Sequence, residues 1–330
     1  MSKPGLADVA CSGVGRGGEH CGWAENTVAQ RRLDNGGEAA LPAQVTSLIL
    51  ESARRRGVAV PPEPHSPAVL GELATSIFLH PTRAGRRVPR EEAYLESAKS
   101  LCVPTSAGEL AVWQWGENAA PVVLLVHGWE GHGAQLGAFA LPLVAAGFCV
   151  RTFDAPGHGD SPGDETSVPQ IARLLGKITG ASDGPVHAMI GHSMGAAAAA
   201  MATLYGLQPR GLVLLAPPLS QRERMERVAA RMELDPAVRA AFFAAVVRRT
   251  GARDDEADMR VLARKAPCPM LAFHDPADTD TDFAEAEKIV ALWRGARMVA
   301  CPGRGHYRLL ATATVVREAT EFIRGLPSGG

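Results

Sequence analysis

The stretch VHAMIGHSMGAAAAAMA, residues 186–202, runs five strand-forming residues into an alanine-rich helix with only a Gly-His-Ser-Met-Gly turn between them. A strand-to-helix turn this tight leaves no room for side chains at its flanks. Gly191 and Gly195 supply that room, and Ser193 then projects from the top of a sheet. The helix that starts at Met194 aims its free backbone N–H groups at the same spot, where negative charge is stabilised. A second match to Gly-x-Ser-x-Gly, GDSPG at 159–163, lacks this setting. Ser161 follows the turn DAPGHGD and precedes Pro162, so it sits in a loop. Ser193 is therefore the expected nucleophile.

Outward from this turn, short apolar strands alternate with helices. The strands include 122–126 (VVLLV), 148–153, 186–190, 212–215 and 270–273; the helices include 135–146, 168–178, 283–293 and 311–323. Continuous apolar strands separated by helices predict an α/β fold, a mostly parallel sheet covered by helices on both faces. Such a sheet carries its functional loops at the carboxyl ends of its strands.

Residues 1–40 are Gly-rich, polar and without periodicity, and are expected to be a disordered tail. Helical patterns follow at 45–56, 67–79 and 91–101, giving a helical segment over 41–101. The α/β core is expected over 102–216 and 268–325. Between them, 217–267 lacks a strand pattern and contains Asp235-Pro236, a helix cap with a first-turn proline. This interval reads as a helical insertion after the sixth strand, either a lid over the site or plain scaffolding. Phe242 and Phe243 within it suggest an apolar wall or an ordinary packed face.

The totals narrow the function. The chain has 330 residues, 46% of them apolar, enough for a sizeable core. Thirty-four basic and 35 acidic side chains leave a net charge of −1, which gives no reason to expect nucleic acid or an anionic membrane as partner. Six scattered cysteines contain no C-x-x-C, so no metal site or cofactor is expected. No apolar run reaches signal-peptide or membrane-spanning length, and a cytoplasmic, soluble protein is the expectation.

A serine hydroxyl needs a base, and the base needs an orienting group. Of ten histidines, His306 in CPGRGHYRLL follows the last strand, where a loop with Gly303 and Gly305 can fold over the sheet's top edge. The loop HDPADTDTD after strand 270–273 offers the carboxylate. Its length favours Asp278, with Asp275 as runner-up fixing the loop by an Asx-type turn. Asp280 and Asp282 look like helix N-terminal residues. Met194 and, from the loop HGWEGHG, Trp129 are the expected oxyanion N–H donors. His127, His158 and His192 sit near strand ends and read as lining, whereas His187 reads as a packed core residue. Glu130 and His192 are candidate substrate-binding residues.

The five motifs HGW, DAPGHGDS, GHSMG, HDPAD and GRGH, in this order, resemble the α/β-hydrolase-fold serine hydrolases over roughly 110–323. The order Ser193, Asp278, His306 is that family's order. Within it the chain is similar to bacterial hydrolases related to esterases and serine aminopeptidases. The oxyanion loop reads HGW rather than the HGGG of many lipases. The resemblance implies a carboxylic-ester hydrolase that forms an acyl-enzyme on a small-molecule acyl substrate. An aminopeptidase, with Glu130 receiving the free amine, and a thioesterase use the same triad. A non-catalytic binding protein on this scaffold is the remaining alternative. Residues 1–100 lie outside the resemblance.

Overall fold

The computed structural model of the chain describes residues 43–82, 86–106, 108–180, 186–253 and 255–327, so the expected tail at 1–40 lies outside the described residues. Eight strands form one sheet: β1 (Lys99–Thr105), β2 (Gly108–Trp115), β3 (Val122–Val126), β4 (Cys149–Phe153), β5 (Val186–His192), β6 (Gly211–Leu215), β7 (Met270–His274) and β8 (Ala296–Ala300). Their spatial order is β1-β2-β4-β3-β5-β6-β7-β8. The pairs β1–β2 and β2–β4 are antiparallel, and every other pair is parallel.

The continuous apolar strands work because both faces are covered. Leu124 and Val126 of β3, Leu212 and Leu214 of β6, and Met270 and Ala272 of β7 point into one core. Their neighbours Val123, Leu125, Val213, Leu215, Leu271 and Phe273 point into the other. This period of two, hidden inside runs that are apolar throughout, is why such strands read as buried rather than amphipathic.

One sequence expectation is corrected. The pattern at 91–101 predicts a single helix, but the helix is Pro89–Glu96 and residues from Lys99 onward form β1. This is an edge strand whose residues are exposed or half-buried, with Leu101 and Val103 packed inward. Its Lys, Ser and Pro suit an open edge and dilute the strand signal.

Among the described residues between β6 and β7 there are three helices, Gln221–Arg231, Pro236–Thr250 and Met259–Lys265. Asp235 caps the second through the Ala237 and Val238 amides, and Gly251 ends it at φ 64°. The insertion and the amino-terminal helices Ala43–Arg56 and Pro67–Leu79 share a third core, with Ile49, Leu70, Ile77 and Phe78 packed among Met225, Val238 and Phe242. The helices touch closely at Gly71, where an added Cβ would lie 2.5 Å from Ala241 Cβ. Phe242 is thus a packed core residue, edge-on to Phe78 with ring centroids 5.6 Å apart.

The sheet's order reverses between β3 and β5. The chain leaves β3 for β4 on one side and later returns through β5 on the other. The crevice outside the carboxyl ends at such a switch point is where parallel sheets bind ligands. Among the described residues, no helix is long and apolar enough to cross a membrane.

Candidate active site

Ser193 follows β5 directly and stands at φ 50°, ψ −118°, a strained conformation for a residue with a side chain. Its N–H donates to Leu215 O (2.9 Å). A Cβ at Gly191 would lie 2.5 Å from Gly195 O, and one at Gly195 would collide with Val126 O. The two glycines are therefore demanded by space. The loop after β3 presses on the same turn, since a Cβ at Gly128 would lie 3.3 Å from Ser193 Cβ. Among the described non-glycine residues, Glu130, Ser193, Ala216 and Glu233 have positive φ, and the first three follow β3, β5 and β6.

His306 lies in the short helix Gly305–Arg308 beyond β8, reached through Gly303 and Gly305 at φ 76° and 60°. Its ring is buried, and its Nδ1–H donates to Asp278 Oδ2 at 2.8 Å. Burial works against the Asp278 carboxylate. The His306 bond and the amides of Asp280 and Thr281 outweigh that and hold its pKa near 2. Asp275 turns elsewhere. It accepts the amides of Ala277 (2.9 Å) and Gly305, tying the β7 loop to the loop that carries His306. Asp282 caps the helix Phe283–Leu292.

The remaining histidines build the surroundings. His158 Nε2 accepts the Glu130 N–H (3.0 Å) and its Nδ1–H donates to Pro156 O (3.0 Å). His127 likewise links Gly128 O to the Ala155 amide. His192 donates from Nε2 to His306 O (3.1 Å) and so braces the backbone under the catalytic candidate. Burial lowers the pKa of His127 to about 4 and those of His158 and His192 to about 3, so all three are neutral. His187 donates to Ile323 O (3.0 Å) within the core. Ser161 is fully buried; it donates to Asp154 O (2.6 Å) and accepts the Ala111 amide (3.0 Å), a loop-fixing role.

A cavity of about 460 Å³ opens above the turn, and Ser193, His306, Met194, Trp129, His192 and Glu130 all line it. Asp278 stands behind His306. The sequence candidates are thus brought to one place, except that the Glu130 carboxylate is already engaged. Its Oε1 accepts from Thr82 N–H (3.2 Å), Thr82 Oγ1 (2.7 Å) and Arg56 Nη1 (3.3 Å). Burial opposes its charge, and these donors lower its pKa nonetheless. Asp278, Asp280 and His306 bring one ligand-type atom each within 4.8 Å of one another, but His306 Nδ1 is committed to Asp278.

Sequence reasoning missed the roof of this cavity. Arg224, Arg227 and Arg231 line it from the helix Gln221–Arg231, and Arg56 lines it from the amino-terminal segment. The signal was present as the spacing i, i+3, i+7 in RERMERVAAR, which puts three arginines on one helix face.

The fold and the geometry of the strand–serine–helix turn define a hydrolase class. Residues 123–319 match the model of the alpha/beta hydrolase family, and the chain belongs to that family and is a hydrolase. No curated protein matches the chain. Among solved structures, it is similar to a thermophilic esterase from Thermogutta terrifontis, with 21% identity and TM-score 0.52 over 69% of this chain and 98% of that one. It is also similar to the esterase EaEST from Exiguobacterium antarcticum (16% identity, TM-score 0.52, 69% and 100% covered). A third similar structure is a thioesterase domain from the curacin biosynthetic pathway (19% identity, TM-score 0.51, 68% and 98% covered).

Proposed function

We propose that this chain hydrolyses carboxylic esters of small molecules through an acyl-enzyme formed on Ser193. The observation that carries the reading is the 2.8 Å contact of His306 Nδ1 with Asp278, with His306 and Ser193 lining one cavity. With Nδ1 protonated and donated, the Nε2 lone pair is the basic site, the tautomer a general base requires. In this mechanism His306 takes the Ser193 proton as Oγ attacks the carbonyl. It returns that proton to the departing alcohol, and then activates water against the acyl-enzyme. The N–H groups of Met194 and Trp129 stabilise the oxyanion, a contribution worth about 3–4 kcal/mol per donor. Asp278 holds the imidazole in register and stabilises its charged form.

The esterases among the similar structures agree with this reading, and so does the neutral, buried histidine shell around the serine. The aminopeptidase alternative loses support, because the carboxylate it needs, Glu130, already receives Arg56 and Thr82. In the same reading residues 217–267 act as a cap, together with the amino-terminal helices that share their core.

The test is hydrolysis of short-chain 4-nitrophenyl esters, together with labelling by a fluorophosphonate. Wild-type protein should turn over the ester and be labelled at Ser193. Ser193→Ala should lose labelling and at least about 10⁴-fold in kcat. An unlabelled wild type, or a Ser193→Ala variant as active as wild type, would overturn the reading.

A further inference from the structure

The helix Gln221–Arg231 faces two environments. Met225 and Ala229 are buried in the third core, while Arg224, Arg227 and Arg231 look onto the cavity over Ser193. Arg227 and Arg231 are exposed, and solvation alone accounts for them. Arg224 is different. It is half-buried, with its guanidinium 4.6 Å from the Trp129 ring centroid and 5.4 Å from that of Phe78. Among the described residues, the guanidinium groups of Arg224, Arg227 and Arg231 form no hydrogen bond or ion pair with an acceptor. Two carboxylates, Glu130 and Asp280, share the wall with them, and Glu130 is bound by Arg56 and Thr82.

Like charges three and four residues apart on a helix repel. A sheltered cation with no directly bonded counter-charge is costly, and the nearest carboxylate acting on Arg224, Glu130, is already bound by Arg56 and Thr82. Burial, with Arg227 and Arg56 adding and Glu130 opposing, lowers the Arg224 pKa to about 10, so the group stays charged at neutral pH. Stacking on two aromatic faces leaves the in-plane N–H edge of a guanidinium available. That edge matches the fork of a carboxylate or phosphate. Trp129 belongs to the oxyanion loop, so this cation stands beside the reacting centre.

We propose that the substrate of this site carries an anionic oxyacid group, a carboxylate or a phosphate, apart from its scissile carbonyl, and that Arg224 binds that group with Arg227 and Arg231 beside it. The proposal rests on the hydrolase reading above and narrows its substrate class.

The experiment compares charged substrates with neutral partners. One pair is 4-nitrophenyl hydrogen adipate and methyl 4-nitrophenyl adipate, which tests a carboxylate on the acyl chain. The other is butyryl-coenzyme A and S-butyryl-N-acetylcysteamine, which tests phosphate on the leaving group. In at least one pair, wild type should favour the charged member by about tenfold or more in kcat/KM, mostly through KM. Arg224→Met keeps an unbranched stem against Trp129 and Phe78 and should abolish the preference. Arg224→Lys should retain part of it. A wild type without preference in either pair, or a preference that survives Arg224→Met, overturns the proposal.

Binding to the Ser193→Ala protein decides the matter even if no ester is turned over. Monomethyl adipate and butyryl-coenzyme A are titrated against dimethyl adipate and S-butyryl-N-acetylcysteamine. Tighter binding of an anionic member, lost with Arg224→Met in the same background, sustains the anion site. Equal affinities within both pairs reject it, whatever the fate of the hydrolase reading. Hydrolysis of the neutral esters together with equal affinities rejects the anion site alone.

Discussion

At the scale of single residues, two aspartates three positions apart have separate tasks because their partners differ. Asp278 spends one oxygen on the His306 ring and the other on the amides of Asp280 and Thr281. Asp275 spends both on the amides of Ala277 and Gly305. On the proposed mechanism, Asp278→Asn lets the amide donate to Nδ1 and leaves the proton on the wrong ring nitrogen. Its kcat should fall by about 10³–10⁴-fold, with some loss of stability as the charged contacts to His306 and the amides go. Asp275→Asn weakens a charge-assisted tether between loops. It should cost about 1–3 kcal/mol of stability and reduce kcat far less. Steady-state kinetics and thermal melts of the two variants decide it, and the reverse ranking would assign the orienting role to Asp275.

At the scale of elements, the helix Pro67–Leu79 holds the insertion in place through contact at Gly71. An added Cβ there would meet Ala241 Cβ at 2.5 Å and Phe242 N at 2.7 Å, a backbone that cannot step aside cheaply. Helix propensity alone says that Gly71→Ala should stabilise by about 1 kcal/mol. Packing says the opposite, with overfilling costing about 1–3 kcal/mol, and packing should win. Urea denaturation should therefore show a less stable Gly71→Ala variant; a more stable one would mean that the helices part freely. Because this pair supports the wall that carries Arg224 and Phe78, KM should change more than kcat. That helices rather than strands fill 217–267 was legible from the missing strand pattern, and the helix Pro236–Thr250 from its cap, its proline and its terminal Gly251. Their packing partners were not legible, because the third core joins residues about 160 positions apart, such as Phe78 and Phe242. Local periodicity carries no record of that distance.

At the scale of the whole molecule, three histidines around the site are buried in neutral form. Their folded pKa values, about 4 for His127 and about 3 for His158 and His192, lie below the roughly 6.5 of an unfolded chain. As pH falls, the unfolded chain takes up protons first. Stability is therefore full above about pH 6.5 and declines from there toward pH 3–4. Each such proton contributes about 1.4 kcal/mol per pH unit within that window. The Asp278 contribution, present above about pH 4, is lost further down as pH approaches 2. Urea midpoints should thus drop steeply between pH 7 and pH 5. A flat profile over that interval would show that these rings meet water in the folded state.

The sequence alone determined the class of fold and singled out the strand–serine–helix turn at Ser193. Apolar runs and a glycine-flanked serine are local facts, dictated by backbone sterics and by the need to cover both faces of a parallel sheet. It also narrowed the carboxylate to Asp278 or Asp275 by loop length. Only the tertiary structure decided which of the two reaches His306, that Glu130 is already bound by Arg56 and Thr82, and that three arginines face the cavity. Those outcomes depend on distances between segments far apart in the chain. Such distances are set by the packing of cores that no single stretch of sequence contains.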